Sequence, residues 1–248
     1  MKNLKTLLFY FCCVLYLSCN SVQHISKTDV SYVVPSPQTS TADAAVNQTV
    51  APYKAQLDAQ MNSVVANVGT ELTKKQPEST MGNWTADALL LGVQRANMQG
   101  DFAVCNYGGM RVPVITTGPL TMGELFELSP FDNMIMVVDM PGNYVDTLFQ
   151  LVAARGGWPV SKGIKMTIKD GKMTSCLIHG QPIDPAKTYK VVTPDYVANG
   201  GDDARFMIGL KRMQTGFLQR DLIVQYAAET ARMGNDIQVA LEGRIVKE

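Results

Sequence analysis

The chain has 248 residues, of which 46% are hydrophobic, and its 22 basic and 22 acidic residues give a formal net charge of zero. No long run of either sign occurs, so the composition argues against charge-driven binding to a nucleic-acid polymer or to an anionic membrane surface. The length is sufficient for one domain with a substantial core.

The first residues have the pattern of a secretory signal peptide. Lys2 and Lys5 precede an apolar run, LLFYFCCVLYL, which ends at Ser18-Cys19 and is too short to span a bilayer. We therefore predict a lipoprotein-type signal peptide over 1–19, with lipidation at Cys19. The protein is then exported and anchored to a bacterial membrane by lipid alone, in the periplasm or at the cell surface. Ordinary cleavage without a lipid is the alternative.

The segment after the signal peptide does not have the pattern of a packed domain. Residues 20–51 are rich in Ser, Thr, Gln, Ala, Val and Pro and show no helical or strand period. Pro35 and Pro37 favour an extended chain. We predict a flexible tether over 20–51 and a single folded domain over 52–248.

Two cysteines remain in the predicted domain, Cys105 and Cys176, and both lie in apolar, strand-like runs. Export permits a disulfide between them, and two buried thiols are equally compatible with the pattern. The sequence leaves both possibilities open.

Hydrophobic periodicity and capping residues predict the helices. Apolar residues recur at three- and four-residue spacing from Tyr53 to Leu72, and Gln76-Pro77 stops this pattern. Ser79 or Thr80 can cap the next helix, and Thr121 a third. The predicted helices lie at 53–72, 82–98, 121–128, 142–154 and 221–232.

The strand pattern predicts a mixed sheet. Two alternating strands flank Asp170-Gly171, the composition of a tight hairpin turn. Two prolines in the extended segment at 112–120 argue against a central strand there. Other predicted strands lie at 102–106, 133–140, 189–194 and 236–246. The fold class is therefore α/β or α+β, one domain with a mixed β-sheet and packed helices, rather than a purely parallel sheet.

A complete catalytic centre of a common kind is not found in the sequence. Two-metal hydrolysis needs several His and carboxylate ligands, whereas the chain has two histidines, His24 in the tether and His179 in a turn. A Ser-His-Asp triad would need His179, and no G-x-S-x-G elbow or phosphate-binding G-x-x-x-x-G-K-[ST] loop occurs. We predict no catalytic residue, no metal ligand and no cofactor in this chain.

Polar and aromatic residues concentrate in three loops that are candidates for ligand binding. NYGGMR, at 106–111, has adjacent glycines that allow positive φ or close approach of a ligand to the backbone. SPFDN, at 129–133, and TPDYVANGGDD, at 193–203, each carry an aromatic ring on a polar loop. The candidate binding residues are Asn106, Gly108, Gly109, Arg111, Phe131, Tyr196, Gly200, Gly201 and Asp202. Each also has a structural interpretation, as a turn, a loop plug, a cap or a surface ion pair.

The order of these motifs resembles the C-terminal domain of the 5'-nucleotidase family. GN…ADAL, N-x-GG-x-R, PF-x-N and Y-K-V-V-T…N-GGD follow one another from about Pro52 to Val246. In that family the domain recognises the nucleoside part of the substrate, and a separate N-terminal metallophosphoesterase domain carries two metals and cleaves the phosphate. The resemblance implies that this chain is not catalytic alone and acts with a separately encoded metallophosphoesterase.

The resemblance also implies roles for the loop residues. Phe131 and Tyr196 match the two aromatics that sandwich the base, with tyrosine where phenylalanine is usual. Asp202 matches the carboxylate that accepts from the ribose hydroxyls. Asn106 and Arg111 match polar groups at the ribose and phosphate side. The expected ligand is thus a nucleoside or a nucleoside 5'-phosphate. A stand-alone nucleoside-binding lipoprotein, or an interaction protein with a degenerate pocket, is the alternative.

Two departures from the family pattern affect these expectations. Tyr107 stands where the family usually has a first glycine, and it would be strained if that position had positive φ. The family also has an arginine a few residues before the Gly-Asn motif, where this chain has Gln76-Pro77. Lys74 and Lys75 lie nearby, but lysine does not provide a planar bidentate fork. Phosphate recognition is therefore less well supported than base stacking.

Overall fold

The structure, a computed structural model, describes residues 44–248. The predicted signal peptide, Cys19 and the tether up to residue 43 lie outside the described residues. The helices are α1 Ala44–Met61, α2 Thr80–Arg95, α3 Met122–Leu128, α4 Gly142–Ala154, α5 Asp195–Ala198 and α6 Gln219–Arg232. The strands are β1 Val64–Val68, β2 Leu72–Thr73, β3 Phe102–Ala103, β4 Val114–Ile115, β5 Gly118–Thr121, β6 Met134–Pro141, β7 Ile164–Lys169, β8 Lys172–Ile178, β9 Gln181–Pro182, β10 Thr188–Pro194, β11 Arg212–Leu218 and β12 Ile245–Lys247.

One sheet, with the strand order β11-β6-β10-β3, positions the candidate loops. β10 is antiparallel to β6, with Pro194 opposite Ile135, and parallel to β3, with Val192 opposite Ala103. The carboxyl ends of β3 and β10 and the amino end of β6 therefore lie at the same edge. The loops after β3 and β10 and the loop before β6 meet at that edge.

The other strands complete a mixed arrangement. The second four-stranded sheet has the order β12-β7-β8-β9, in which β12 is parallel to β7 and the other pairs are antiparallel. Asp170 and Gly171 join β7 to β8 with φ of 50° and 73°, the left-handed pair that a tight hairpin turn requires. β1 pairs with β5, and β2 with β4. The predicted fold class, α/β with a mixed sheet and packed helices, is confirmed.

The near-continuous apolar run of β6 is explained by burial on both faces of its sheet. Met136, Val138 and Met140 belong to one buried cluster, whereas Ile135 and Val137 belong to another. The first cluster includes Val145, Leu148, Phe149 and Val152 of α4, and the second includes Leu89, Leu90 and Val93 of α2. A strand covered by helices on both faces loses the polar alternation that one solvated face would impose.

Helix α1 ends at Met61, so the predicted helix over 53–72 is wrong beyond that residue. Val64–Val68 is a strand with period-two burial, in which Ala66 and Val68 are buried. Valine loses side-chain freedom in a helix and packs well on a pleated strand, so pairing with β5 prevails over the helical spacing. At its other end α1 begins at Ala44, inside the range predicted as a tether.

Three further differences concern local structure. The strand predicted over 236–246 is limited to Ile245–Lys247, although Ile237 makes an isolated bridge to Val68. β11 was not predicted, because Gly216 interrupts its apolar pattern and the strand lies at a sheet edge. Six of its seven residues are exposed or partly exposed. The Gly-rich loop after β10 contains the short helix α5 and a 3₁₀ turn, Gly201–Asp203.

Cys105 and Cys176 are both buried free thiols. Burial raises the pKa of each thiol to about 12, and nearby Asp146 adds to the effect at Cys176. The structure thus favours the thiol alternative over a disulfide.

A buried ion pair joins α2 to the last strand. Arg244, with only 3% of its side chain exposed, donates to both carboxylate oxygens of Asp87 at 2.8 and 2.7 Å. The same guanidinium donates to Glu242 and to the carbonyl oxygen of Val160. Because the guanidinium is buried and donates to both Asp87 and Glu242, this pair fixes the C-terminal segment against α2.

Candidate functional site

The three candidate loops surround one open cleft of about 350 Å³ at the edge of the β11-β6-β10-β3 sheet. Its lining residues are Asn106, Gly108, Gly109, Arg111, Phe131, Asn133, Tyr196 and Asp202. All but Asn133 are residues that the sequence singled out, although they come from segments almost a hundred positions apart. The volume lies at the lower end of the range, roughly 300–1,000 Å³, that small-molecule sites occupy.

Two aromatic rings line the cleft with about half of their surface exposed. Phe131 is 47% exposed and Tyr196 is 46% exposed, whereas core aromatics such as Phe102 and Phe149 are fully buried. Two exposed rings at one concave site are a feature of ligand binding rather than of folding. The Arg111 guanidinium lies 5.6 Å from the centre of the Phe131 ring, within cation–π distance.

Asp202 is the carboxylate of the cleft, and both of its oxygens are hydrogen bonded. The Asn106 side-chain amide donates to Oδ2 at 2.8 Å, and the Tyr196 hydroxyl donates to Oδ1 at 3.1 Å. The hydrogen bond to Asp202, together with desolvation, raises the pKa of Tyr196 above its ordinary value of 10.0. Asp202 has φ of 49° and ψ of 41°, a left-handed conformation that aspartate tolerates better than most residues.

The glycines of NYGGMR do not adopt positive φ. Tyr107–Gly109 forms a 3₁₀ turn, and none of its residues has left-handed geometry. Tyr107 is therefore not strained by replacing a glycine. The sequence offered two reasons for Gly108-Gly109, and the one that remains is close approach of a ligand to the backbone. A Cβ at Gly108 would meet nothing nearer than the Asn106 amide at 3.6 Å, so the space beside this glycine is open.

Neither glycine of the second pair lines the cleft, and Gly201 supports Tyr196 instead. Gly200 has φ of 94°, which a side chain would strain. A Cβ on Gly201 would lie 2.5 Å from Cε1 and 2.6 Å from Cζ of the Tyr196 ring. The ring therefore packs against bare backbone at Gly201, and any side chain there would displace it.

Lys74 contributes a second positive charge beside Arg111. Its ammonium donates to the carbonyl oxygen of Met110 at 2.7 Å and lies 4.3 Å from the centre of the Tyr107 ring. Partial burial lowers the pKa of Lys74, and repulsion by Arg111 lowers it further. Lys75, in contrast, is exposed. Lys74 is thus the lysine that approaches the NYGGMR loop.

Arg220 holds the loop that carries Phe131, and sequence reasoning missed it. Its guanidinium donates to the carbonyl oxygens of Ser129 and Pro130 at 3.3 Å and to Asp132 at 2.7 Å. It also lies 4.2 Å from the centre of the Phe126 ring. Arg220 is in the first turn of α6, where the helix dipole disfavours a cation. The predicted helix began at residue 221, one position after Arg220, so this mismatch became visible only in the structure.

The chain belongs to the 5'-nucleotidase C-terminal domain family. The model of that family, described as "5'-nucleotidase, C-terminal domain", matches residues 56–208, which is more than half of the chain. The matched range includes every residue that lines the cleft. The resemblance identified from the sequence motifs is confirmed.

Relatives with this similarity include UshA proteins and 5'-nucleotidases. UshA of Yersinia enterocolitica is 31% identical over 179 residues, which cover 70% of this chain and 32% of the relative. UshA of Escherichia coli is 26% identical over 200 residues, covering 77% and 36%. A 5'-nucleotidase of Vibrio cholerae is 28% identical over 194 residues, covering 74% and 34%. The chain spans about a third of the length of these relatives.

Solved structures show the same fold. A 5'-nucleotidase precursor from Thermus thermophilus superposes with a TM-score of 0.70 at 24% identity, covering 85% of this chain and 44% of the other. The NAD nucleotidase of Haemophilus influenzae superposes with a TM-score of 0.64 at 18% identity, covering 83% and 41%. At these identities the similarity establishes the fold.

Between residues 44 and 248, no cluster of three or more His, Cys, Asp or Glu side chains is arranged to hold a metal ion. Over the same range, none of the helices combines the length and the apolarity that crossing a membrane demands.

Proposed function

We propose that this domain recognises a nucleoside or nucleoside 5'-phosphate in nucleotide breakdown. The base stacks between Phe131 and Tyr196, and Asp202 accepts hydrogen bonds from the ribose. The observation that carries the proposal is the position of both half-exposed rings on one cleft with a single carboxylate and Arg111. Membership of the 5'-nucleotidase C-terminal domain family supports the same ligand class.

The expected affinity follows from the kinds of contact available. Stacking on an aromatic side chain contributes on the order of 1–3 kcal/mol per ring, so two rings give roughly 2–6 kcal/mol. A millimolar dissociation constant already corresponds to about 4 kcal/mol. Micromolar binding therefore needs the ribose contacts of Asp202. Because stacking does not read base edges, we expect little discrimination among purines.

Arg111 and Lys74 are proposed to attract the phosphate end of the ligand. Neither side chain has an ion-pair partner among those found in the described residues, and Arg111 contributes to the lowered pKa of Lys74. Two adjacent uncompensated cations repel each other, and an anion placed between them would relieve that repulsion. A mononucleotide should therefore bind more tightly than the corresponding nucleoside.

Calorimetric titration of the purified protein with adenosine and with adenosine 5'-phosphate tests this proposal. We expect micromolar binding that Phe131→Ala weakens at least about tenfold, or 1.4 kcal/mol. Tyr53→Ala is the matched control, since Tyr53 is an exposed aromatic on α1 that does not line the cleft. The absence of binding to either ligand would overturn the proposal and favour an interaction protein with a degenerate pocket.

Phosphate cleavage is proposed to come from a separately encoded metallophosphoesterase. The residues that the structure describes contain no cluster of three or more His, Cys, Asp or Glu side chains arranged to hold a metal ion, and two-metal phosphate hydrolysis needs such ligands. The test is phosphate release with manganese, for the purified protein alone and with a metallophosphoesterase from the same cell. Phosphate release by the purified protein alone would contradict this division of tasks. If the protein binds a nucleoside but does not change phosphate release by the metallophosphoesterase, a stand-alone nucleoside-binding lipoprotein would be favoured.

Export and lipid anchoring at Cys19 complete the proposal. The basic, apolar and Ser-Cys pattern of residues 1–19 supports it. Labelling of cells with radioactive palmitate should mark the wild-type protein and leave Cys19→Ser unlabelled. Equal labelling of both proteins, or of neither, would contradict lipidation at this residue.

A further inference from the structure

The hydroxyl group of Tyr196 donates a hydrogen bond to the cleft carboxylate, Asp202. Asp202 is the middle residue of the 3₁₀ turn Gly201–Asp203 and is only partly buried. An aspartate on such a turn is free to rotate about its side-chain bonds unless neighbouring groups fix it. The next residue, Asp203, forms an ion pair with Arg155 instead and does not compete for the same donors.

Asp202 is held by two donors from different segments, one on each oxygen. Asn106, which follows β3 and is 6% exposed, donates to Oδ2, and Tyr196, which follows β10, donates to Oδ1. Two bonds on different oxygens fix both the position and the plane of the carboxylate. Because a carboxylate has about four acceptor sites, each oxygen keeps one free.

The phenol is itself a fixed donor. Its ring lies against the backbone of Gly201, where an added Cβ would be 2.5 Å from Cε1. The backbone N–H of Tyr196 donates to the side chain of Asp195 at 2.7 Å, which restrains the start of α5. The hydroxyl therefore reaches Asp202 from a ring whose place is already determined by packing.

We propose that Tyr196 is a positioning residue for Asp202, through its hydroxyl group and separately from the stacking of its ring. A vicinal diol offers two O–H donors side by side, and a carboxylate with one free acceptor site on each oxygen matches that pair. The Tyr196 hydroxyl thus favours ligands that carry an unmodified 2',3'-diol. A phenylalanine ring would stack equally well and would leave Asp202 held by Asn106 alone. This inference rests on the proposed nucleoside-binding function.

The test compares Tyr196→Phe with the wild-type protein, using adenosine and 2',3'-dideoxyadenosine as ligands. We expect the substitution to weaken adenosine binding about five- to tenfold, which lies within the range for the net contribution of one hydrogen bond. Binding of the dideoxy ligand, which has no diol, should change less than twofold. In an Asp202→Asn background the substitution should have little effect on either ligand, because the carboxylate is gone.

Other binding results would contradict either the positioning role of Tyr196 or the proposed function. Equal weakening of both ligands would mean that the hydroxyl serves the ring or the fold and not the diol. Tighter adenosine binding by Tyr196→Phe would mean that the hydroxyl competes with the ribose for Asp202. Unchanged adenosine binding would also refute the positioning role while leaving the proposed function intact. Failure of the wild-type protein to bind adenosine would overturn the proposed function and this inference together.

Discussion

The Arg220 guanidinium donates a 2.7 Å hydrogen bond to Asp132, the residue that follows Phe131 in the cleft loop. The two partners differ in environment, since 11% of the Arg220 side chain and 76% of the Asp132 side chain are exposed. Arg220 also satisfies the carbonyl oxygens of Ser129 and Pro130. The buried arginine, rather than the ion pair, therefore determines the loop conformation.

Substitution of the two partners should have unequal effects. Arg220→Met leaves the buried Ser129 carbonyl without its donor, so we expect a loss of about 1–3 kcal/mol in the free energy of unfolding, together with weaker nucleoside binding. Asp132→Ala removes a carboxylate that is 76% exposed and leaves both carbonyl contacts of Arg220 in place, so it should cost less than Arg220→Met. Urea denaturation and calorimetric titration of both variants provide the measurement. Equal destabilisation by the two substitutions would contradict this assignment.

Gly108→Ala tests whether a ligand approaches the backbone of the NYGGMR loop. Gly108 has no left-handed φ, and its added Cβ would meet only the Asn106 amide at 3.6 Å, an ordinary contact. The free energy of unfolding should therefore change by less than about 0.5 kcal/mol. Because the new methyl group would occupy the cleft, we expect nucleoside affinity to fall about tenfold. Unchanged affinity with unchanged stability would show that the glycine serves the turn alone.

Lys74→Met tests the contribution of charge to phosphate recognition. We expect affinity for adenosine 5'-phosphate to fall about tenfold or more, the effect of losing a charge-assisted contact, with little change for adenosine. Lys75→Met is the matched control, since Lys75 is exposed, whereas the Lys74 ammonium donates to Met110 and lies beside the Tyr107 ring of the NYGGMR loop. Increasing salt should weaken mononucleotide binding in the wild-type protein more than in Lys74→Met. Equal losses in the two lysine variants would refute a specific role for Lys74.

The sequence was a good guide wherever a local signal and the tertiary environment agreed. Helix α4 was predicted at the observed bounds, because its apolar stripe faces a covered sheet. The cleft residues were found through loop composition and family motifs. Their convergence, however, depends on strand order, since β3 and β10 are neighbours only through a parallel pairing that sequence spacing does not show.

The failures arose where long-range packing overrides local preference. Val64, Val65 and Val68 fit a helical period, yet pairing with β5 makes them a strand. Arg220 was missed because its role consists of contacts with a loop about 90 positions away. The hydrogen bonds from Asn106 and Tyr196 to Asp202 likewise join separate segments. The sequence motifs identify these residues but do not show that they are hydrogen bonded to one another.

Acid stability should depend on Asp139, which lies between two lysines. Lys190 donates to its carboxylate at 2.6 Å, and Lys211 lies 3.6 Å from the other oxygen. The hydrogen bond from Lys190 is the main cause that lowers the pKa of Asp139 below its ordinary value of 3.8. A carboxyl group whose pKa is lower in the folded state stabilises that state fully above its unfolded-state value. This stabilisation is lost as the pH falls through the lower folded-state pKa.

The measurement is the free energy of unfolding in urea from pH 6 down to pH 3. The wild-type protein should lose part of its stability below pH 3.8, and Asp139→Asn should show a shallower decline because it carries no titrating group at this position. Parallel curves for the two proteins would contradict the contribution of Asp139.

Asp87→Ala should separate stability from ligand binding. Its carboxylate is the bidentate partner of Arg244, whose side chain is 3% exposed, so the substitution leaves a buried guanidinium with Glu242 as its remaining carboxylate partner. Removing one partner of a buried pair typically costs about 3–5 kcal/mol. Asp87 does not line the cleft, so the fraction that remains folded should bind adenosine with wild-type affinity. Asp58→Ala is the control, since Asp58 pairs with Lys54 on the surface and its loss should cost less than about 1 kcal/mol. A similar stability for the two variants would show that Arg244 is held by its carbonyl contacts and Glu242, and not by Asp87.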